Sequence, residues 1–263
     1  MTSFRAAKEL LAILIAGMFS LVTVAAALET ADEHGSCPEW SYSGANGPEH
    51  WGDLCPKFAA CKTGKEQSPI DITNPQVVHL PAIHFASHPV PLKIIDNGHT
   101  IQQKFAPGNG NTITVEGKTY ELQQFHFHHP GEEAFDGKRY DMVAHLVYES
   151  KDKGIAVIGV SIKEGRPNPL ITTLWENLPP EKNKEHDSDA VEVNAIQLVP
   201  AKHSYYKFQG SLTIPPCTPG LTFYVLDTPM ELSKEQIAKF AAIYPDNARP
   251  LQPLNGRVVQ HSK

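Results

Sequence analysis

The chain has 263 residues, 41% of them hydrophobic, enough for one large core or two small ones. Lys and Arg number 23 against 29 Asp and Glu, a formal net charge of −6. No basic cluster breaks that acidic balance, which argues against a nucleic-acid partner.

At the N-terminus, Arg5 and Lys8 precede an apolar run from Leu10 to Ala27 that closes on Ala25-Ala26-Ala27. This is the layout of a secretory signal peptide over residues 1–27, cleaved after Ala27. An uncleaved anchor is the alternative, because the run is near the length of a bilayer span. Loss of Arg5, Lys8 and Glu9 leaves a mature chain of net charge −7, and Cys37, Cys55, Cys61 and Cys217 all remain. An even cysteine count in an exported chain predicts two disulfides, with three pairings open, whereas no C-x₂-C pair supports a structural zinc site. The predicted location is periplasmic or secreted, with no membrane attachment once the leader is removed.

Residues 28–65 are rich in Gly, Pro and Trp without helical or strand periodicity, and read as an arm over a core. Short β-type runs follow: 92–95, 112–115, 120–128, 142–148, 155–162, 191–198 and 221–226. Turn pairs punctuate them at Asn97-Gly98, Glu116-Gly117, Asp136-Gly137 and Lys153-Gly154. One helix is predicted from Asn168, with Pro169 in its first turn, and another from Ser233, with Gln236 completing a capping box. There is no repeat. The pattern describes one mainly β (α+β) domain, residues 28–263, built on a large sheet with small peripheral helices.

The segment Phe125-His126-Phe127-His128-His129 carries the strongest chemical signal. Alternate residues of a strand share a face, so His126 and His128 point one way and the two phenylalanines the other. If Asp136-Gly137 closes the simplest hairpin, His128 lies opposite His145, and Pro130 and Gly131 mark where a bulge would shift that register. Three converging neutral imidazoles with a fourth position open form a catalytic rather than a structural zinc site. No H-E-x-x-H helix accompanies them, which argues against peptide hydrolysis.

From Trp40 to Arg257 the sequence resembles the α-class carbonic anhydrases of the bacterial, exported type. The resemblance rests on Asn46-Gly47-Pro48-Glu49-His50-Trp51-Gly52, Gln67-Ser68-Pro69-Ile70-Asp71-Ile72, Asn97-Gly98-His99, Gln124-Phe125-His126-Phe127-His128, Ala144-His145-Leu146-Val147, the run Gly210 to Cys217, and Asn247-Ala248-Arg249-Pro250. It implies a twisted, mostly antiparallel central sheet and zinc-dependent, reversible hydration of carbon dioxide to bicarbonate by a zinc-bound hydroxide. It implies His126, His128 and His145 as zinc ligands, Thr213 as acceptor from the hydroxide, Glu132 as acceptor from Thr213, and His99 as proton shuttle. Tyr42, Asn97 and Gln102 match residues that hold the connecting water chain, and Val147, Val157, Leu212, Thr213, Ile214 and Leu221 match the substrate pocket. It also implies disulfides Cys61–Cys217 and Cys37–Cys55, cis bonds before Pro69 and Pro216, and a homodimer as one possible assembly.

Zinc-bound histidines usually donate their second nitrogen to an outer partner. Gln124 can serve His126, and the resemblance gives the carbonyl of Asn247 to His128. The family's carboxylate two residues before the third ligand is Val143 here, so His145 is expected to lack its partner and to hold zinc more weakly. Glu133 replaces a usual histidine and puts two carboxylates side by side, with a raised pKa expected if both are buried. Ile214 and Phe223 replace a common threonine and tryptophan.

Overall fold

In the computed structural model, residues 37–263 are described; the signal-peptide reading of residues 1–27 lies outside them. Alternation of side chains along the central strands divides one sheet into two working faces. Phe125 and Phe127, Ala144 and Leu146, Ile158 and Val160, Tyr224 and Leu226 are all buried on one side in a large apolar cluster. Two helices, Pro169–Glu176 and Lys234–Ile243, cover that side through Leu170, Ile171, Leu174, Trp175 and Phe240. The residues between them in sequence face the other way, where the histidines stand.

The sheet has twelve strands. Its main path runs Lys184–Val193, Val90–Asp96, Ile101–Lys104, Lys118–His128, Met142–Ser150, Ile155–Glu164, Pro219–Leu232, Tyr205–Ser211, Gln260–Ser262 and Gln76–Val78. Pairing is antiparallel except between Ile155–Glu164 and Pro219–Leu232 and between the last two strands. The mostly antiparallel architecture expected from the resemblance is therefore present. Both helix starts also match the sequence reading. Asn168 accepts from the backbone N–H of Leu170 at 2.9 Å with Pro169 following, and Ser233 with Gln236 forms a capping box.

Four readings change. The predicted strand 191–198 begins earlier, as Lys184–Val193, and its end is a 3₁₀ turn, Ala195–Leu198, capped by Asn194. Lys184–Val193 is an edge strand with mostly exposed side chains, so it carries little apolar alternation to read. Ile101–Lys104 and Tyr205–Ser211, unassigned from the sequence, are strands because central neighbours pair with them on both sides. The arm contains one-turn helices, Trp51–Leu54 and Ala60–Thr63, and buries Trp51 completely.

The fourth change concerns register. Asp136-Gly137 does close the expected turn, with Ala134 opposite Arg139, but that short hairpin belongs to a separate three-stranded sheet. Farther out, His145 pairs with His126 and Val143 with His128, an offset of two from the simplest hairpin. Pro130, which has no N–H to give a ladder, takes the chain out of the sheet, and residues 129–133 are longer than the segment facing them. An offset of two leaves every side chain on its predicted face, because the strand period is two.

Candidate metal centre

His126 and His128 come from one strand and His145 from its neighbour, and their ligand-capable nitrogens all lie within 4.8 Å of one another. Each ring is oriented by its second nitrogen. Nδ1–H of His126 donates to Oε1 of Gln124 at 2.8 Å, and Nδ1–H of His128 donates to the backbone carbonyl of Asn247 at 2.8 Å. These are the partners expected from the sequence, and they leave both Nε2 lone pairs aimed at the common centre. Nε2 of His128 is buried with no hydrogen-bond partner, a costly state that a cation would relieve. Burial drives the pKa of His126 well below its ordinary value and that of His128 to about 3, so both stay neutral and able to ligate. The donor set fits a divalent cation of zinc type.

His145 differs from the expectation. It does not lack a partner: its Nε2 lies 3.4 Å from Oε2 of Glu133, a buried carboxylate twelve residues upstream. Val143 is buried and opposite His128, and offers no polar atom. Burial would lower the pKa of His145, but Glu133 outweighs it and raises it. The expectation of a raised pKa for adjacent buried carboxylates holds for one of the two. Burial lifts Glu132 to about 7, whereas His145 overcomes burial at Glu133 and holds it below its ordinary value.

Glu132 is fully buried. Its Oε1 accepts from the backbone N–H of Arg249 at 2.9 Å, and Oε2 lies 3.5 Å from Nε2 of His128 and 3.8 Å from Nδ1 of His145. The Thr213 hydroxyl acts to lower the Glu132 pKa, but Oε2 has no well-aligned hydrogen bond. Thr213 itself is buried in the turn after the strand Tyr205–Ser211. That turn is held by the Cys61–Cys217 disulfide, by Nε2 of Gln67 donating to the Cys217 carbonyl at 3.0 Å, and by Ser68 N–H donating to Oγ of Ser211 at 3.0 Å. Cys37 pairs with Cys55, as the resemblance implied.

His99 is half-buried. Its ring stacks on Trp40 with centroids 3.7 Å apart and planes at 10°, and Tyr42 stands edge-on at 6.4 Å. Burial lowers its pKa below 6.5, with Glu39 pulling up and Lys182 pushing down. The Asn97 side chain shapes this turn by accepting from His99 N–H at 3.0 Å, and Gln102 pairs with His126 across the ladder. Val147, Val157, Leu212 and Leu221 share an apolar cluster with Phe208 and Phe223 on the histidine face. Phe223 stacks on Phe208 at 5.0 Å and meets His145 edge-on at 6.0 Å. Ile214 is half-buried and lies outside that cluster.

Two polar residues proved more central than their sequence blocks suggested. Asn247 is fully buried, and its Nδ2 donates to the carbonyls of His99 at 2.9 Å and Phe127 at 3.1 Å, joining the turn at His99 to the strand that carries His126 and His128. The buried Arg249 guanidinium donates to Gln67 Oε1 at 2.9 Å, to the Ser68 carbonyl at 2.7 Å and to the Cys61 carbonyl at 2.9 Å. Their signal was the block Asn247-Ala248-Arg249-Pro250 near the C-terminus, readable only through the family pattern.

Residues 46–263 match the profile of the family described as eukaryotic-type carbonic anhydrase. The chain is 38% identical over 260 residues to a carbonic anhydrase of Nostoc sp., covering 96% of each. It is 42% identical over 224 residues to a carbonic anhydrase of Pectobacterium carotovorum, covering 84% of this chain and 90% of the other. A hyperthermostable carbonic anhydrase from a hydrothermal vent chimney has the same fold at a TM-score of 0.81 and 45% identity, covering 86% of this chain and 100% of that one. With the profile, the relatives and the three-histidine geometry in agreement, the chain belongs to the eukaryotic-type, or α, carbonic anhydrase family and is an enzyme of that kind.

Proposed function

We propose that residues 28–263 form an exported catalytic domain that hydrates carbon dioxide reversibly with zinc held by His126, His128 and His145. The observation that carries this reading is the convergence of three oriented imidazoles, with the buried Nε2 of His128 otherwise unpartnered. When bound, zinc lowers the pKa of a coordinated water to about 7, the value established for carbonic anhydrases, and so supplies a nucleophile at neutral pH. The protein does the rest. Thr213 accepts a hydrogen bond at the reacting oxygen and donates its own hydroxyl hydrogen bond to the Glu132 carboxylate, which fixes the direction of attack. Val147, Val157, Leu212 and Leu221 give an apolar wall against which carbon dioxide rests, with Ile214 at its margin. His99 takes the product proton to solvent. Two disulfides support an oxidising compartment, the periplasm or the exterior.

Stopped-flow hydration of carbon dioxide by the purified mature protein, with and without a zinc chelator, tests the reading. Rapid hydration that is lost on chelation and restored by zinc is expected. Hydration at the buffer rate with a full equivalent of zinc bound would overturn it.

A further inference from the structure

We propose that Glu133 is the positioning residue for the third ligand, accepting the Nε2–H of His145 so that Nδ1 is presented to the ion. The proposal deepens the zinc reading above and rests on it. Both oxygens of Glu133 lie 3.4 Å from Nε2 of His145, and no other hydrogen-bond acceptor meets that ring among the described residues. Carboxylate and imidazole are both almost wholly buried, so neither can exchange this contact for water. The neighbouring strand position on the same face, Val143, brings only methyl groups. The carboxylate therefore comes from the loop rather than the ligand strand.

The backbone explains how a loop residue reaches so far inward. The two-residue offset between the ligand strands gives residues 129–133 extra length, and the chain spends it by folding against Tyr140 and Met142. Gly131 permits the approach: its N–H donates to the Tyr140 carbonyl at 3.0 Å, and a Cβ there would lie 3.1 Å from the Met142 carbonyl and 3.2 Å from that of Tyr140. The next two side chains then flank the His145 ring. Glu132 lies 3.8 Å from Nδ1, and Glu133 takes Nε2. A hydrogen-bonded carboxylate makes the imidazole a better donor and excludes the wrong tautomer. Glu133 thus performs from the loop the role that Val143 cannot perform from the strand.

The test uses the zinc-loaded protein and reads metal release and ring tautomer rather than turnover alone. Zinc transfer to a chromophoric chelator is timed for wild type, Glu133→Ala and Glu133→Gln. Nitrogen-15 correlation spectra report which His145 nitrogen carries the proton. The expected result is a wild-type Nε2–H resonance shifted downfield and slow to exchange. Zinc release should be about 10–100-fold faster in Glu133→Ala and less accelerated in Glu133→Gln, which keeps an acceptor oxygen and the same shape. Equal release rates in all three proteins, or a wild-type His145 protonated at Nδ1, would overturn the proposal. If instead wild type binds no zinc, the catalytic reading fails first, so the two failures are distinct.

Discussion

At the scale of single residues, convergence of their ligand nitrogens separates His126, His128 and His145 from the other described histidines, of which His129 and His186 also have an engaged ring nitrogen. A ring whose second nitrogen is engaged has one lone pair left, and burial keeps His126 and His128 from spending it on a proton. His99 is different because the shuttle role proposed for it requires it to gain and lose a proton. Burial against Trp40 lowers its pKa, so the neutral, proton-accepting form prevails to lower pH than for a free imidazole. The His99-dependent part of hydration should therefore rise with pH through an inflection below 6.5, as a pH–rate series in weak buffer would show. His99→Ala should lose that inflection and most of its turnover in weak buffer, with imidazole restoring it; indifference to buffer would remove His99 from the pathway. The sign for stability follows from the same shift. The unfolded chain takes up this proton first as pH falls, so His99 makes the fold less stable below about 6.5. Arg249 illustrates the cost of an unshared donor set. Arg249→Lys cannot satisfy the Gln67, Ser68 and Cys61 acceptors together and should lower unfolding free energy by about 3 kcal/mol in urea titration.

At the scale of elements, the site joins one continuous stretch, the two ligand strands and the loop between them, to a turn far downstream in sequence. The ligand strands supply the imidazoles, the loop 129–133 supplies two carboxylates, and the turn after Ser211 supplies Thr213. The Cys61–Cys217 bridge ties that turn to the N-terminal arm across 156 residues. Chain-entropy arguments give such a closure about 5 kcal/mol. Replacing both cysteines by serine should lower the urea midpoint accordingly and reduce turnover more than zinc affinity, because Thr213 loses its anchor while the three histidines keep theirs. A variant with wild-type turnover and lower stability would show that Gln67 and Ser68 hold the turn unaided. The register offset is an element-scale result as well, since the loop lengths on the two sides of Asp136-Gly137 set it and the faces survive it.

At the scale of the whole molecule, the sheet separates support from chemistry. Phe127 stands on the supporting side, edge-on to Trp175 at 5.3 Å and Phe240 at 6.1 Å, while its strand neighbours His126 and His128 face the site. The three histidines stand on the face opposite the large cluster, so metal removal should leave the core intact. Calorimetry is expected to show a cooperative transition for the zinc-free protein at a lower Tm, with near-UV circular dichroism retained at room temperature. Loss of the tertiary signal on chelation would show instead that zinc holds the fold together.

The alternation His-x-His beside phenylalanines, the helix caps at Asn168 and Ser233 and the turn at Asp136-Gly137 were legible in the sequence because each depends on residues a few positions apart. Their physics is local: strand period, capping geometry and turn conformation. The family pattern added roles for distant residues and pointed to the absence of a carboxylate at Val143. Only the tertiary structure decided that Glu133 replaces it, that Arg249 and Asn247 bind loops to the ligand strand, and that Ile101–Lys104 and Tyr205–Ser211 are strands at all. In each case the partner is supplied by chain folding rather than by neighbouring sequence, and a buried polar atom takes whichever partner the packing brings within reach.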